Sequence, residues 1–285
     1  MTLKTILVAA SGGTASDGAV ETACRLAQRV GAHVEALHVK ADPVQLATMA
    51  SDSFGMPIAG DWIDRFVDDT DKLAEKTKAG FAAIAGRHGL SMTAAPGAGT
   101  GASWRVEAGY APILVARRAR FFDLVVLGRS ERVVDRPHTD TIEETLVTSG
   151  RPVLLAPAQP PAVIGDTVAL GWNGSAEAVH VVTAALSVLE KAKSVVVITV
   201  GDDHESDPQS LIDYLATHGI SAKHRPSATV KGVGRGEQLL EEARDAGADL
   251  LVMGAYGHQT WRELLFGGAT RHVVGVSLLP VLLAH

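Results

Sequence analysis

Four glycines, a histidine and two threonines fall within one stretch, residues 254–270, GAYGHQTWRELLFGGAT. Two residues separate Gly254 from Gly257 and nine separate Gly257 from Gly267, so a loop this rich in glycine can turn its backbone N–H groups toward one anion. The stretch follows an apolar run, DLLVM at 249–253, and leads into a short apolar helix whose opening near Gly268 adds a positive dipole end. Gly254, Gly257, Gly267, Gly268 and the hydroxyl of Thr270 are therefore candidate phosphate contacts, with His258 beside them. Arg262 and Arg271 could add charge-assisted hydrogen bonds. This chemistry is binding. Hydrolysis would need a base or a metal-held water at the terminal phosphate, and no constellation in the sequence supplies one.

The elements that must hold this loop occur twice. DLVVLGRSE at 123–131 returns as DLLVMGAYG at 249–257, and PVLLAP from Pro152 returns as PVLLAH from Pro280, at offsets of 126 and 128 residues. KTILVAASGGTAS (4–16) and DTVALGWNGSAEA (166–178) each read as an apolar strand, a small-residue turn and a helix. A tandem repeat explains these matches economically. Val20, Ala23, Cys24 and Ala27, and later Ala178, Val181, Val182 and Ala185, follow the i, i+3, i+4, i+7 spacing of a buried helix face. Apolar runs at 33–39 and 194–200 predict second strands, and helical patterns cover 61–87 and 208–218. Short polar strands are expected near Ser91 and Ser221, and third helices over 103–118 and 234–246.

Apolar strands alternating with amphipathic helices imply α/β domains with parallel sheets covered on both faces. The expected architecture is two tandem doubly wound, Rossmann-like domains, each a five-stranded parallel sheet of order 3-2-1-4-5. The boundaries are 1–157 for the first, 166–285 for the second, and a proline-rich, uncharged linker at 158–165. The first copy spends 117 residues between its first and fourth strands against 81 in the second, mostly in an insertion at 41–60 and a longer second helix. In such a sheet the ligand crevice lies beyond the carboxyl ends of strands 1 and 4. Asn173 after the first strand of the second copy and Gly254 after its fourth would meet there. In the first copy Glu131 aligns with Gly257 and Asp140 with Gly268. Carboxylates beside a polyphosphate would repel it by several kcal/mol before screening, so one anion site per chain is expected.

These motifs resemble the universal stress protein family in its tandem two-domain form, over nearly the whole chain. That family's nucleotide-binding members carry G-x2-G-x9-G-[S/T] after the fourth strand, which Gly254, Gly257 and Gly267 match; Gly268 replaces the Ser or Thr, and Thr270 matches a Thr common two positions on. The family's Asp after the first strand corresponds to Asn173, and to Ser11 in the first copy. The resemblance implies ATP or a related adenine nucleotide in the second domain, Val200 lining the base, Mg²⁺ arriving with the nucleotide, and a role in stress response as a binding or switch protein. It also implies pairing through fifth strands, here an intramolecular pseudo-dimer of the two PVLLA segments, with a homodimer as a further option.

Composition narrows the alternatives. A single cysteine leaves no disulfide framework, and eleven histidines form no HxxxH or HxxE pair, so no protein-held metal is expected. The acidic run at 202–207 reads as a solvated loop ending in an Asp207 cap before Pro208. Net charge is −6 with cations scattered, which argues against a nucleic-acid partner. Uncharged stretches are too short to span a membrane or form a signal-peptide core, so a cytoplasmic location is expected. Two competing functions remain: a nucleotide-independent scaffold, and an ATP pyrophosphatase-type enzyme. The latter's SGGxDS loop resembles SGGTAS at 11–16, but Ala15 stands where that motif has Asp.

Overall fold

The computed structural model describes residues 2–43, 60–93, 99–129, 136–201, 207–255 and 268–285. Among these the strands are β1 (Thr5–Ala9), β2 (His33–Lys40), β3 (Gly101–Ala108), β4 (Leu124–Gly128), β5 (Val153–Ala156), β6 (Thr167–Gly171), β7 (Ser194–Val200), β8 (Ala222–Ser227), β9 (Leu250–Gly254) and β10 (Val281–Ala284). The helices are α1 (Thr14–Val30), α2 (Gly60–Arg87), α3 (Ala111–Ala119), α4 (Arg136–Thr148), α5 (Ala176–Leu189), α6 (Pro208–Thr217), α7 (Arg235–Asp245) and α8 (Gly268–Val276).

Strand residues alternate faces, and both faces are apolar. In β1, Ile6 and Val8 join one core with α1, α2, α5 and α6, while Leu7 joins a second core with α3, α4, α7 and α8. A strand buried on both sides reads as an unbroken apolar run, which is why TILVA and LLVMG were legible. The order is β3-β2-β1-β4-β5-β10-β9-β6-β7-β8, so each half has the expected 3-2-1-4-5 arrangement. The two halves form one sheet, parallel within each half and antiparallel at the seam, where Val281, Leu282 and Leu283 pair with Leu155, Leu154 and Val153.

The repeated Asp at 123 and 249 belongs to this frame. Asp123 Oδ2 accepts the Lys4 and Thr5 N–H groups, both at 2.9 Å. Asp249 does the same for Gly165, Asp166 and Thr167 at 2.5 to 3.1 Å. Each carboxylate ties the start of a fourth strand to the start of a first strand, at the sheet edge opposite the crevice. Burial pushes the Asp249 carboxyl up, against the pull of these N–H donors.

One helix expectation is corrected. Residues 103–108 are strand, and the helix begins only at Ala111 with Pro112 in its first turn. Tertiary partners on β2 decide this: Ser103 pairs with His33 at 2.9 Å, Trp104 stacks on His38, and Arg105 reaches the buried Glu35, which Arg118 also grips at 2.7 and 2.9 Å. Pro112 inside a helix over 103–118 would have clashed with the preceding turn. The strand expected near Ser91 is likewise displaced, leaving only an isolated bridge from Met92 to Ala102. The 158–165 segment is docked: Ile164 is buried, and Arg29 of α1 bonds the Gly165 carbonyl at 2.9 Å and the Asp166 carboxylate at 2.7 Å.

Candidate functional site

The carboxyl ends of β7, β6 and β9 lie side by side, and three of the sequence-assigned residues sit there. Gly171 of β6 pairs with Ile198 of β7 and with Met253 of β9. One residue on, the Trp172 N–H donates to the Ile198 carbonyl at 2.9 Å, and Asn173 follows, exposed. Val200 closes β7 and is half-buried; Gly254 closes β9.

Asn173 is held by the helix it precedes. Its Oδ1 accepts the Ser175 N–H at 3.1 Å in a local turn, and Ser175 Oγ accepts the Ala178 N–H at 3.3 Å, so Ser175 caps α5 and Asn173 braces the residue that does so. The side-chain NH₂ of Asn173 adds a donor at this edge, where an aspartate would bring only acceptors. Gly254 is required by close approach. A Cβ there would lie 2.7 Å from the Ala178 nitrogen and 2.9 Å from the Glu177 carbonyl carbon.

Gly268 opens α8, whose first turn carries no acidic residue, and Thr270 in that turn is 5% exposed. Gly236 of α7 lets this end seat closely, since a Cβ on it would fall 2.4 Å from the Ala269 carbonyl oxygen. Gly257, His258, Gly267 and Arg262 lie outside the described residues, as does Glu131 of the first half. Asp207 caps α6 by accepting the Gln209 N–H at 3.1 Å. Among the described residues no group of three His, Cys, Asp or Glu is placed to hold a metal, and no helix is long and apolar enough to cross a membrane.

The matching place in the first half is a cavity of about 170 Å³, lined among others by Ala9, Ser11, Leu37, Val39, Gly128 and Thr141 and, among the described residues, by no charged side chain. Arg129, next to Gly128, turns away and donates to the Val274 carbonyl of α8 at 3.2 Å. Asp140 is exposed near the start of α4, and the Glu143 carboxyl is pushed up, first by burial and then by the Asp140 charge. The α1 entry, Gly12 and Gly13 at φ 87° and 83°, has no side-chain cap.

Two buried polar atoms near these edges, Ser16 Oγ in α1 and Nε1 of Trp172, have no hydrogen-bond partner among the described residues. Leaving such a group dry and unpaired costs about 1 to 3 kcal/mol. Sequence reasoning passed over Trp172, although GWNGS places a large indole directly before Asn173. The lone thiol, Cys24, is fully buried and pushed up to about 12 by desolvation, so it has no nucleophilic role.

Fold and crevice together define a tandem, doubly wound α/β protein. The chain belongs to the universal stress protein family, whose profile matches residues 2–137 and 166–285. It is 24% identical over 299 residues to universal stress protein Slr1230 of Synechocystis sp., covering 98% of this chain and 99% of that protein. A universal stress protein from Archaeoglobus fulgidus has the same fold, with a TM-score of 0.74 at 16% identity over 98% of this chain and 95% of that one. A functionally unknown protein, PA1789, from Pseudomonas aeruginosa PAO1 gives a TM-score of 0.55 at 13% identity, covering 99% and 92%.

Proposed function

We propose that the second half, residues 166–285, binds an adenine nucleotide, ATP, and acts as a nucleotide-dependent switch in a stress response. The observation that carries this reading is the convergence of Asn173, Val200 and Gly254 at one edge of β7, β6 and β9, with α8 opening free of acid in its first turn. Membership in the family adds support, because Gly254, Gly257 and Gly267 keep the spacing of its nucleotide loop. Asn173 serves the ribose side through its NH₂, Val200 lines the base, and Gly257, His258, Gly267, Gly268 and Thr270 hold the phosphates, with Mg²⁺ accompanying them. Donors, small residues and a helix N-terminus suit a polyphosphate. The nucleotide orders the 254–270 loop and so alters a partner surface. Residues 1–157 form a domain without an anion site, joined through 158–165, and the β5–β10 seam makes the chain a pseudo-dimer that works in the cytoplasm.

The test is mass spectrometry of small molecules released on denaturing purified protein, followed by calorimetric titration of ATP into wild type and Gly267→Asp. Bound nucleotide or saturable ATP binding is expected in wild type. A carboxylate beside the phosphates should weaken it about 100-fold or more, the equivalent of several kcal/mol. Protein that carries no nucleotide and takes up none at millimolar ATP would leave the scaffold reading in its place.

A further inference from the structure

The sheet ends at β3 on one side and β8 on the other, and the two edges are built differently. We propose that the β3 edge is a self-association surface: a second copy of the chain pairs with it antiparallel, residues 104–108 against residues 104–108, about a two-fold axis at Val106.

The backbone phase of β3 leaves this stretch open. Ala102 spends its outward groups within the chain, its N–H on the Ser91 carbonyl at 2.9 Å and its carbonyl on the Thr93 N–H at 2.7 Å, while the Gly109 N–H turns inward to the Lys40 carbonyl at 2.9 Å. Successive residues alternate sides, so Trp104, Val106 and Ala108 direct their N–H and C=O groups outward. Among the described residues β3 pairs with β2 alone beyond the Met92–Ala102 bridge. Val106 is 41% exposed, and Ala108 is exposed beside it.

Charge selects the occupant. With the axis at Val106, the two copies of that residue exchange N–H···O=C bonds, Trp104 stands opposite Ala108, and Arg105 falls opposite the second copy's Glu107, twice by symmetry. This is a non-hydrogen-bonded position, where facing Cα atoms approach to about 4.5 Å and opposite charges stabilise the pairing. Arg105 and Glu107 already share one sheet face at 3.7 Å, with side chains 44% and 30% exposed. The buried Glu35 that Arg105 also reaches is gripped by Arg118 at 2.7 and 2.9 Å, so Arg105 can turn to a further acid without stranding that carboxylate. A strand carrying its own complement fits a second copy of itself, and a two-fold contact closes as a dimer.

The second half shows the same edge closed. Val106 pairs with His38 on β2, and at the matching register Pro226 pairs with Thr199 on β7. The Ser227 carbonyl turns inward to the Gly201 N–H at 2.9 Å, so Pro226 stands in the outward phase and lacks the donor that Val106 offers. Lys223 and Arg225 flank it with no acid in β8 to face them. The fifth strands are spent on each other inside the chain, which leaves β3 as the edge where two chains can pair.

Sedimentation equilibrium of the full chain without nucleotide, from about 5 μM to about 1 mM, tests this. So short a seam is smaller than a stable interface, and a dimer that dissociates on dilution is expected. Val106→Pro gives the first edge the residue that the second has, and should leave monomer at every concentration with unchanged circular dichroism, because the N–H it removes faces outward. Glu107→Arg, which sets arginine against Arg105, should weaken the dimer about tenfold or more and decides the matter should the proline variant misfold. In hydrogen exchange the Val106 amide should be protected in concentrated protein and lose protection on dilution. Wild type that stays monomeric throughout, a dimer as tight in a folded Val106→Pro or in Glu107→Arg as in wild type, or Val106 protection independent of concentration, which would assign the edge to another segment of the same chain, would each overturn the proposal.

Discussion

At the end of β4, Gly128 lies against α1 so closely that a Cβ would come 2.3 Å from the Ala15 carbonyl oxygen; at the end of β9, Gly254 lies against α5 in the same way. The strands and the strand–helix approach are thus common to both halves, and the surroundings differ. Ser175 caps α5 with its side chain, whereas Gly13 opens α1 without a side-chain cap. Neither the α4 nor the α8 first turn carries an acid, but Asp140 and a half-buried Glu143 follow further along α4, while α8 has no acidic residue at all. One scaffold built twice can carry different side chains at the same strand ends, because the sheet fixes only where a ligand could lie.

The comparison can be broken most forcefully at the seam the halves share. Leu282 and Leu154 are paired across it and nearly fully buried. Leu282→Ala and Leu154→Ala should each cost about 2 to 5 kcal/mol in urea unfolding, with the double variant non-additive because the residues touch. Equal and additive losses would mean that the halves unfold independently.

A smaller effect is expected from Gly128→Ala and Gly254→Ala, each destabilising by about 1 to 3 kcal/mol as backbone must give way to the new Cβ. Thermal denaturation should show similar losses in both. Calorimetry should show weakened ATP binding only for Gly254→Ala, and equal effects on ATP would undo the asymmetry.

The subtlest expectation concerns the clamp between the halves. Lys193 and Arg29 hold the Asp166 carboxyl below its ordinary value. A depressed folded-state pKa stabilises the fold above the ordinary carboxylate value near 4, and that contribution fades as pH falls through the folded value. The stability advantage of wild type over Asp166→Asn should be constant above about pH 5 and vanish in stronger acid. An advantage that persists in acid would assign Asp166 a role other than the ion pair.

Much of this architecture is legible along the chain wherever a pattern answers to a local rule. Val20, Ala23, Cys24 and Ala27 mark α1 because one helix face is buried, and SVVVITV marks β7 because both strand faces are. Asp207 before Pro208 announces α6. Where partners distant in sequence decide, the pattern misleads: 103–108 has a helical look, but Glu35, His33 and His38 on β2 supply the contacts that make it a strand. The repeated Asp of DLVV and DLLV was visible as a repeat, yet its bonds to the starts of β1 and β6 were not.

The sequence by itself determined the tandem α/β repeat and the order of its strands and helices, since periodicity acts over a few residues. Tertiary structure alone decided that the halves form one sheet through an antiparallel seam, that Asn173 Oδ1 accepts the Ser175 N–H ahead of α5, and that Trp172 lines a mostly apolar cavity between α5 and α6. Those outcomes depend on which surfaces meet and which hydrogen-bonding groups are already satisfied when they do, and neither is written in any single stretch of the chain.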